Sequence, residues 1–504
     1  MHHLSLLSAI TAALTLIAYP VINWVYYAFF HPLAKIPGPR KWGASRLPFV
    51  KSFLQGTIIQ DIESLHRQYG PILRVGPDEV TFAHPDAWSD ILQIRPNHQQ
   101  LPKDPLWWSH PGPTSILSAI DAQTHARIRR ALVPGFTERA LRAQEPILLH
   151  YVDLLIERLR EILGANPTEM GDGIVINILP WLNFTTFDIF GDLGFGEPFN
   201  CLQHSEYHPW IAMLFNSVKA SSFVSAAKFY PLINWILLKC IPPSLRKMQD
   251  DHFRFIAEKV ERRMNWEMER SDLIEHTLKE AKEGKGMSRG EIDSTFAILA
   301  TAGSETTATV LGGIVNYLSI NPDKSNILVH KIRSKFESES EINMESVKDF
   351  PYLNAVIHEG LRLCPPVPWI MPRLVPAGGD TVCGTWLPGG TRVSIQAYSL
   401  HRDPNCFYSA SSFIPERWLT EEYENQNSPF HEDKREVVQT FSVGPRSCLG
   451  KSLAWSELQL ILVRLLWAFD IGATEGKQLR WEDLRTFLLV EKLPIEVTIK
   501  KRAF

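Results

Sequence analysis

The hydrophobic pattern opens with an uninterrupted apolar run. Leu4 to Phe30 contains no Asp, Glu, Lys or Arg and exceeds the roughly 20 residues that span a bilayer. Pro20 interrupts it, which a membrane helix tolerates better than a soluble one. A cleaved signal peptide needs a positive N-terminal region and a small-residue cleavage site, and neither is evident. Lys35, Arg40, Lys41 and Arg46 follow the run. Positive charge stays on the cytosolic side, so the pattern predicts a single-pass anchor with a lumenal N-terminus. Trp24, Tyr26 and Tyr27 suit the membrane interface. Ile36-Pro37-Gly38-Pro39-Arg40 then reads as a stiff hinge, dividing the chain into an anchor, 1–34, and a cytosolic domain, 35–504.

Beyond the hinge the period changes. Pro71 to His84 reads as a hairpin, with Ile72, Leu73 and Val75 before a Gly76-Pro77-Asp78 turn and Val80, Thr81 and Phe82 after it. Nearly all of Gln123 to Pro322 carries a helical pattern, and strand-like pieces return only after Pro365. Ser288-x-x-Glu291 is a capping box that opens a long helix, and Asn321-Pro322 ends it. At 1.5 Å per residue that helix is on the order of 45 Å long, enough to cross a domain. Pro231 to Ile241 is apolar but too short to span a membrane; it is either core or an interfacial contact. Lys451 to Phe469 is apolar at helical spacing. The fold class is mainly α with a small β-rich subdomain.

Composition adds exclusions. Of 504 residues, 45% are hydrophobic and 21% charged, which fits a globular domain with ample core. The net charge of −3 and the lack of a basic block argue against nucleic-acid binding. Six cysteines without a C-x-x-C pair argue against zinc and for a reducing compartment.

The candidate chemistry centres on Phe441 to Gly450, FSVGPRSCLG. Cys448 lies between Gly444 and Gly450, which permit close backbone approach, and two residues after Arg446, whose charge favours a thiolate. The helix that follows adds its positive dipole end. Haem iron held by a thiolate is the ligation that promotes O–O cleavage. The loop matches F-x-x-G-x-R-x-C-x-G, and here the chain resembles the cytochrome P-450 family of haem-thiolate monooxygenases. Four further motifs stand in that family's order: His125-Ala-Arg-Ile-Arg129, Ala302-Gly303-Ser304-Glu305-Thr306-Thr307, Glu359-Gly-Leu-Arg362, and Pro415-Glu416-Arg417-Trp418.

The resemblance implies a haem b between the long helix and the cysteine loop, with Cys448 as axial iron ligand. It implies that His125, Arg129, Arg373 and Arg446 bind its propionates. Phe441, Gly444, Gly450, Ala302 and Gly303 complete the cofactor site, Gly303 leaving a flat patch for it. Glu305 and Thr306 are the expected catalytic pair for dioxygen, Glu305 delivering protons through water. Glu359, Arg362 and Arg417 are the expected structural triad, with Trp418 in place of the commoner Phe. The expected substrate pocket is Trp107, Trp108, Ile298, Val367, Trp369, Ile370, Phe487 and Leu488. It lacks a charged anchor, which suits a hydrophobic small molecule.

No G-x-G-x-x-G fingerprint is present, so electrons are expected from NADPH through a separate reductase, NADPH-cytochrome P-450 reductase. Arg127, Arg130, Lys434, Arg435 and Lys451 could steer that acidic partner. By the same resemblance the anchor places the domain on the cytosolic face of the endoplasmic reticulum, and Pro231–Ile241 lies at a lipid-facing substrate entrance. FFHPLAKIPGPR, YGPILRVGPDEV and FGDLGFGEPF are similar to filamentous-fungal members that tailor terpenoids, polyketides or alkaloids. Two other readings stand beside the monooxygenase: a reductase-independent haem-thiolate isomerase, dehydratase or peroxygenase, and a non-catalytic haem sensor or carrier.

Overall fold

The computed structural model describes residues 18–109, 112–165, 173–266, 270–284 and 286–502. Most of the apolar run that opens the chain therefore lies outside the described residues. Its end is helical to Val25 and continues as a π-helical turn, Tyr26–Phe30, with Tyr19, Ile22, Trp24, Phe29 and Phe30 exposed. The segment is tied to the body: Arg74 donates to the Tyr27 carbonyl at 2.8 Å, and its own N–H to the Pro37 carbonyl.

In chain order the elements that matter are α1 (Leu47–Gln55), β1 (Ile72–Gly76), β2 (Glu79–Phe82), α2 (Ala87–Leu92), α3 (Pro105–Trp108), α4 (Ala122–Leu132) and α5 (Glu138–Ala165). Then come β3 (Ile174–Asn177), α6 (Ile178–Phe195), α7 (Pro209–Ala227), α8 (Pro231–Cys240), α9 (Arg289–Ile320) and α10 (Pro351–Leu363). The chain ends with β4 (Ile370–Leu374), β5 (Arg392–Ile395), α11 (Lys451–Ala468), β6 (Phe469–Ala473), β7 (Thr486–Phe487), β8 (Leu489–Val490) and β9 (Glu496–Lys501). The molecule is mostly helical with small sheets.

The expected hairpin is β1–β2, pairing Ile72 with Phe82 and Arg74 with Val80. It extends to a four-stranded sheet, β1-β2-β5-β4, whose β2–β5 pair is parallel. A second sheet, β3-β9-β6, brings the C-terminus back to the middle of the chain. Its strand β3 falls inside the stretch read as helix; four residues paired with β9 over three hundred positions later leave no local signature.

The long helix is α9, 32 residues opened by the expected box: Glu291 N–H donates to Ser288 Oγ at 3.3 Å, and Ser288 N–H to Glu291 Oε2 at 2.8 Å. It packs on α6, α10 and α11 and is buried along nearly all of Ser304 to Leu318. Among the described residues it is the one helix long and apolar enough to cross a membrane, yet it is the core helix. By contrast α8 buries none of its residues: Leu232 is 70% exposed and Trp235 56%. Of the two readings of that segment, core is excluded.

Candidate active site

The cysteine loop is shaped by its glycine and its hydrogen bonds. Gly444 sits at φ 77°, and a Cβ there would lie 2.4 Å from the Leu92 carbonyl oxygen at the end of α2. Only glycine takes this conformation and this approach together. Ser447 N–H donates to the Gly444 carbonyl, and Cys448 N–H to the Phe441 carbonyl at 2.8 Å. Gly450 caps α11, and its N–H points back to the Cys448 thiol. Burial pushes that thiol up, while the Gly450 N–H, Arg129 and Lys451 pull it down. The Cys448 side chain is nevertheless exposed. Protein surrounds the thiol, so the accessible surface borders a space inside the fold.

Around the loop stands a group of basic side chains. Asp121 caps α4 by accepting from Thr124 N–H at 2.7 Å, which sets His125 and Arg129 one turn apart. Arg129 donates to the Ser447 carbonyl at 2.7 Å, immediately before Cys448. Arg446 donates to the Ala119 and Ile120 carbonyls. Arg373, on β4, bridges backbone to backbone with Lys103, whose ammonium donates to the Leu117 carbonyl and lies 3.9 Å from the Trp108 ring centre.

Burial is the largest cause of the shifts of Lys103, His125 and Arg373, and repulsion from neighbouring basic groups follows, while Arg446 is lowered by burial and held up by Asp121. Lys103 is pushed down to about 6, His125 to about 4 and Arg373 to about 10. Among the described residues no carboxylate offsets these three. An accessible thiol at a helix N-terminus, beside basic side chains with no paired carboxylate, is the donor set that an iron cofactor with two carboxylates takes. The residues present fit haem. Lys103 is a member that sequence reasoning missed, since a lone lysine between Pro102 and Asp104 carries no motif.

On α9, Ile298, Ala302 and Thr306 follow at four-residue spacing and share one face. Ala302 is exposed while Ala300, Ser304 and Glu305 are buried, so that face also borders open space. Thr306 Oγ1 donates to the Ala302 carbonyl at 2.6 Å, and Thr307 and Thr309 make the same bond one turn back. Such bonds loosen a helix locally. Gly303 has another use than the flat patch expected of it: a Cβ there would meet the Phe190 ring of α6 at 3.2 Å, so the glycine admits a neighbouring helix.

Glu305 is turned into the interior and paired with Lys492, Oε1 to Nζ 2.8 Å. Burial raises its carboxyl and Lys492 opposes the rise. Glu457 of α11, unmarked in the sequence, is buried against the Thr307 hydroxyl and pushed up to about 8 by that burial.

Glu359, Arg362 and Arg417 meet in one buried network that has further members. Arg362 grips Glu359 with two bonds of 2.8 and 2.7 Å, Arg417 Nε reaches it at 3.3 Å, and all three are fully buried. Arg417 also pairs with Asp433. Trp418 donates its indole N–H to Glu359 Oε2 at 2.9 Å, a bond that phenylalanine cannot make.

The pocket residues divide. Trp107 and Trp369 do not stand open; their rings meet edge to face at 5.3 Å and pack with Phe53, while Phe49 meets Trp369 and Phe229 meets Trp107. Edge-to-face packing buries more of each ring than an open wall would. Phe487 is buried beside Gly56 under Lys219. Trp108, Ile298, Val367, Ile370 and Leu488 stay partly exposed, and Leu488 turns the β7–β8 hairpin at φ 65°. Of the basic residues proposed for a partner, Arg127 is committed to Glu291 and Arg435 stacks on Tyr423, whereas Arg130, Lys434 and Lys451 are exposed.

Comparison with known proteins agrees with this geometry. The family model for cytochrome P450 matches residues 37–499. Cytochrome P450 monooxygenase lcsI of Purpureocillium lilacinum is 40% identical over 488 residues, covering 96% of this chain and 92% of that protein. Cytochrome P450 monooxygenase astJ of Aspergillus oryzae is 39% identical, covering 96% and 95%. Averantin hydroxylase of Dothistroma septosporum is 38% identical, covering 95% and 88%. The chain therefore belongs to the cytochrome P450 family and is a haem-thiolate monooxygenase.

Proposed function

We propose that this chain is a membrane-anchored monooxygenase of fungal secondary metabolism, oxidising an apolar small molecule with electrons from NADPH passed on by a separate reductase. The observation that carries the reading is the Cys448 thiol, held at the N-terminus of α11 by a loop that only glycine at 444 permits, beside the basic side chains His125, Arg373 and Lys103, which no carboxylate pairs with among the described residues. Cys448 would hold the haem iron through its thiolate, and His125, Arg129, Arg373 and Arg446, with Lys103, would take the carboxylates of haem b. When bound, the haem supplies the activation of dioxygen and its insertion into the substrate. Thr306 presents its hydroxyl on the accessible face of α9, and Glu305 supplies protons. Ala302, Ile298, Val367, Ile370 and Leu488 offer an apolar wall to the substrate. A relative named averantin hydroxylase favours hydroxylation of a secondary metabolite as the reaction.

The anchor 1–34 and the bare apolar face of α8 support a seat on the endoplasmic reticulum membrane. Leu232, Ile233, Trp235 and Leu238 would enter the interface there, and residues 35–504 form the cytosolic catalytic domain. Arg130, Lys434 and Lys451 are the charges left for an acidic reductase face. The test is the carbon monoxide difference spectrum of the reduced full-length protein. A strongly red-shifted Soret band that Cys448→Ala abolishes is expected. A haem-loaded, folded wild type without that band refutes the ligation and the oxygenase reading with it.

A further inference from the structure

Glu305 is held from outside its own helix. Its Oε1 meets Lys492 Nζ at 2.8 Å with each side chain 8% exposed. Lys492 lies in the irregular stretch between β8 and β9 and also donates to Asn183 Oδ1 of α6 at 3.1 Å. Asn183 is fixed in turn, donating to the Tyr207 hydroxyl at 2.8 Å. One residue before Lys492, Glu491 donates its N–H to the Arg485 carbonyl and pairs with Lys219 of α7 at 2.9 Å. The chain therefore enters the interior at 492 from a backbone secured at 491, and beyond it Ile495 N–H donates to Asn177 Oδ1 at 3.0 Å. The second carboxylate oxygen, Glu305 Oε2, is buried without a hydrogen-bond partner among the described residues. An unmatched buried oxygen is costly and calls for a use.

We propose that Lys492 is a positioning residue for the known reaction: it holds Glu305 by one oxygen and leaves Oε2 as the atom that takes up and passes on protons. The inference rests on the reading of Glu305 as a proton supplier. It adds that a lysine from the C-terminal segment, steadied by Asn183, aims that group. The pair also explains how a carboxylate persists in this interior, since a lone buried charge is not sustained.

The experiment uses the full-length haem-loaded protein with its reductase, NADPH and dioxygen, and needs no substrate. Dioxygen then yields either hydrogen peroxide, consuming one NADPH and one added proton, or two waters, consuming two of each. Failed proton supply favours peroxide. Peroxide formed per NADPH is measured for Glu305→Gln, Lys492→Met, Lys492→Arg and the Lys492→Met/Glu305→Gln pair, alongside urea unfolding of each.

A several-fold rise is expected for Glu305→Gln and for Lys492→Met, with no further rise in the double variant and a near-normal ratio for Lys492→Arg. In unfolding, Lys492→Met is expected to lose stability that the double variant regains, because the neutral amide introduced by Glu305→Gln needs no counter-ion. Should Lys492→Met alone not fold, the comparison of the double variant with Glu305→Gln carries the test, and equal ratios are expected. A rise for Glu305→Gln with none for Lys492→Met, or additive rises, overturns the role of Lys492 and leaves that of Glu305 intact. An unchanged ratio for Glu305→Gln removes both roles, while the carbon monoxide test of Cys448 stands apart.

Discussion

Replacing Gly444 by alanine tests how the cysteine loop is built. A Cβ at φ 77° costs roughly 1–2 kcal/mol of left-handed strain. The same Cβ would lie 2.4 Å from the Leu92 carbonyl oxygen. That atom is backbone at the end of α2, so the loop or the helix must shift, at about 1–3 kcal/mol more. The sum, about 2–5 kcal/mol, is a large part of the roughly 5–15 kcal/mol by which a domain is stable.

Gly450 is the control. Its φ is −87°, and a Cβ there would meet only the Phe136 ring at 3.9 Å, an ordinary contact. Gly450→Ala should change the protein's own stability by no more than about 0.5 kcal/mol. Urea unfolding followed by circular dichroism, with haem content per chain measured in parallel, reads both variants. An unchanged midpoint for Gly444→Ala refutes the reasoning. If Gly450→Ala keeps its midpoint and loses haem, the cofactor and not the loop demands glycine at 450.

Three further outcomes follow from the same contacts. Trp418→Phe removes one bond to a fully buried carboxylate and should cost about 1.5–3 kcal/mol in urea unfolding; no loss means Arg362 and Arg417 satisfy Glu359 alone. Glu457, raised from 4.5 to about 8, binds a proton in the folded state that the unfolded state has released between those values. It therefore contributes stability below pH 4.5 that is lost as pH rises through about 8, on the order of 5 kcal/mol at most. Glu457→Gln should flatten that fall, and an identical pH profile of unfolding would sink the assignment. Serine in place of Leu232 or Trp235 should weaken binding to lipid vesicles by about tenfold each, for roughly 1.4 kcal/mol of lost apolar burial; unchanged binding places α8 away from the membrane.

The sequence by itself determined those features whose cause is local. FSVGPRSCLG states its chemistry within ten residues, and Ser288 and Glu291 fix the start of α9 because a cap needs only its own turn. The alternation at 72–82 sufficed for β1 and β2 because a two-strand hairpin pairs with itself. Glu359 and Arg362, three apart on one helix, were legible for the same reason.

The tertiary structure decided the partners that arrive from elsewhere. Lys492 reaches Glu305, Lys103 joins Arg373, and Trp418 donates to Glu359 across separations that no periodicity records. Strand β3 exists only because β9 returns to it. Trp107 and Trp369 were recognisable as large apolar residues, but whether each lines a space or closes on the other depends on where α1, α3 and β4 converge. Local patterns set which groups are present. Long-range packing sets which of them meet, because burial and charge compensation are properties of the assembled interior.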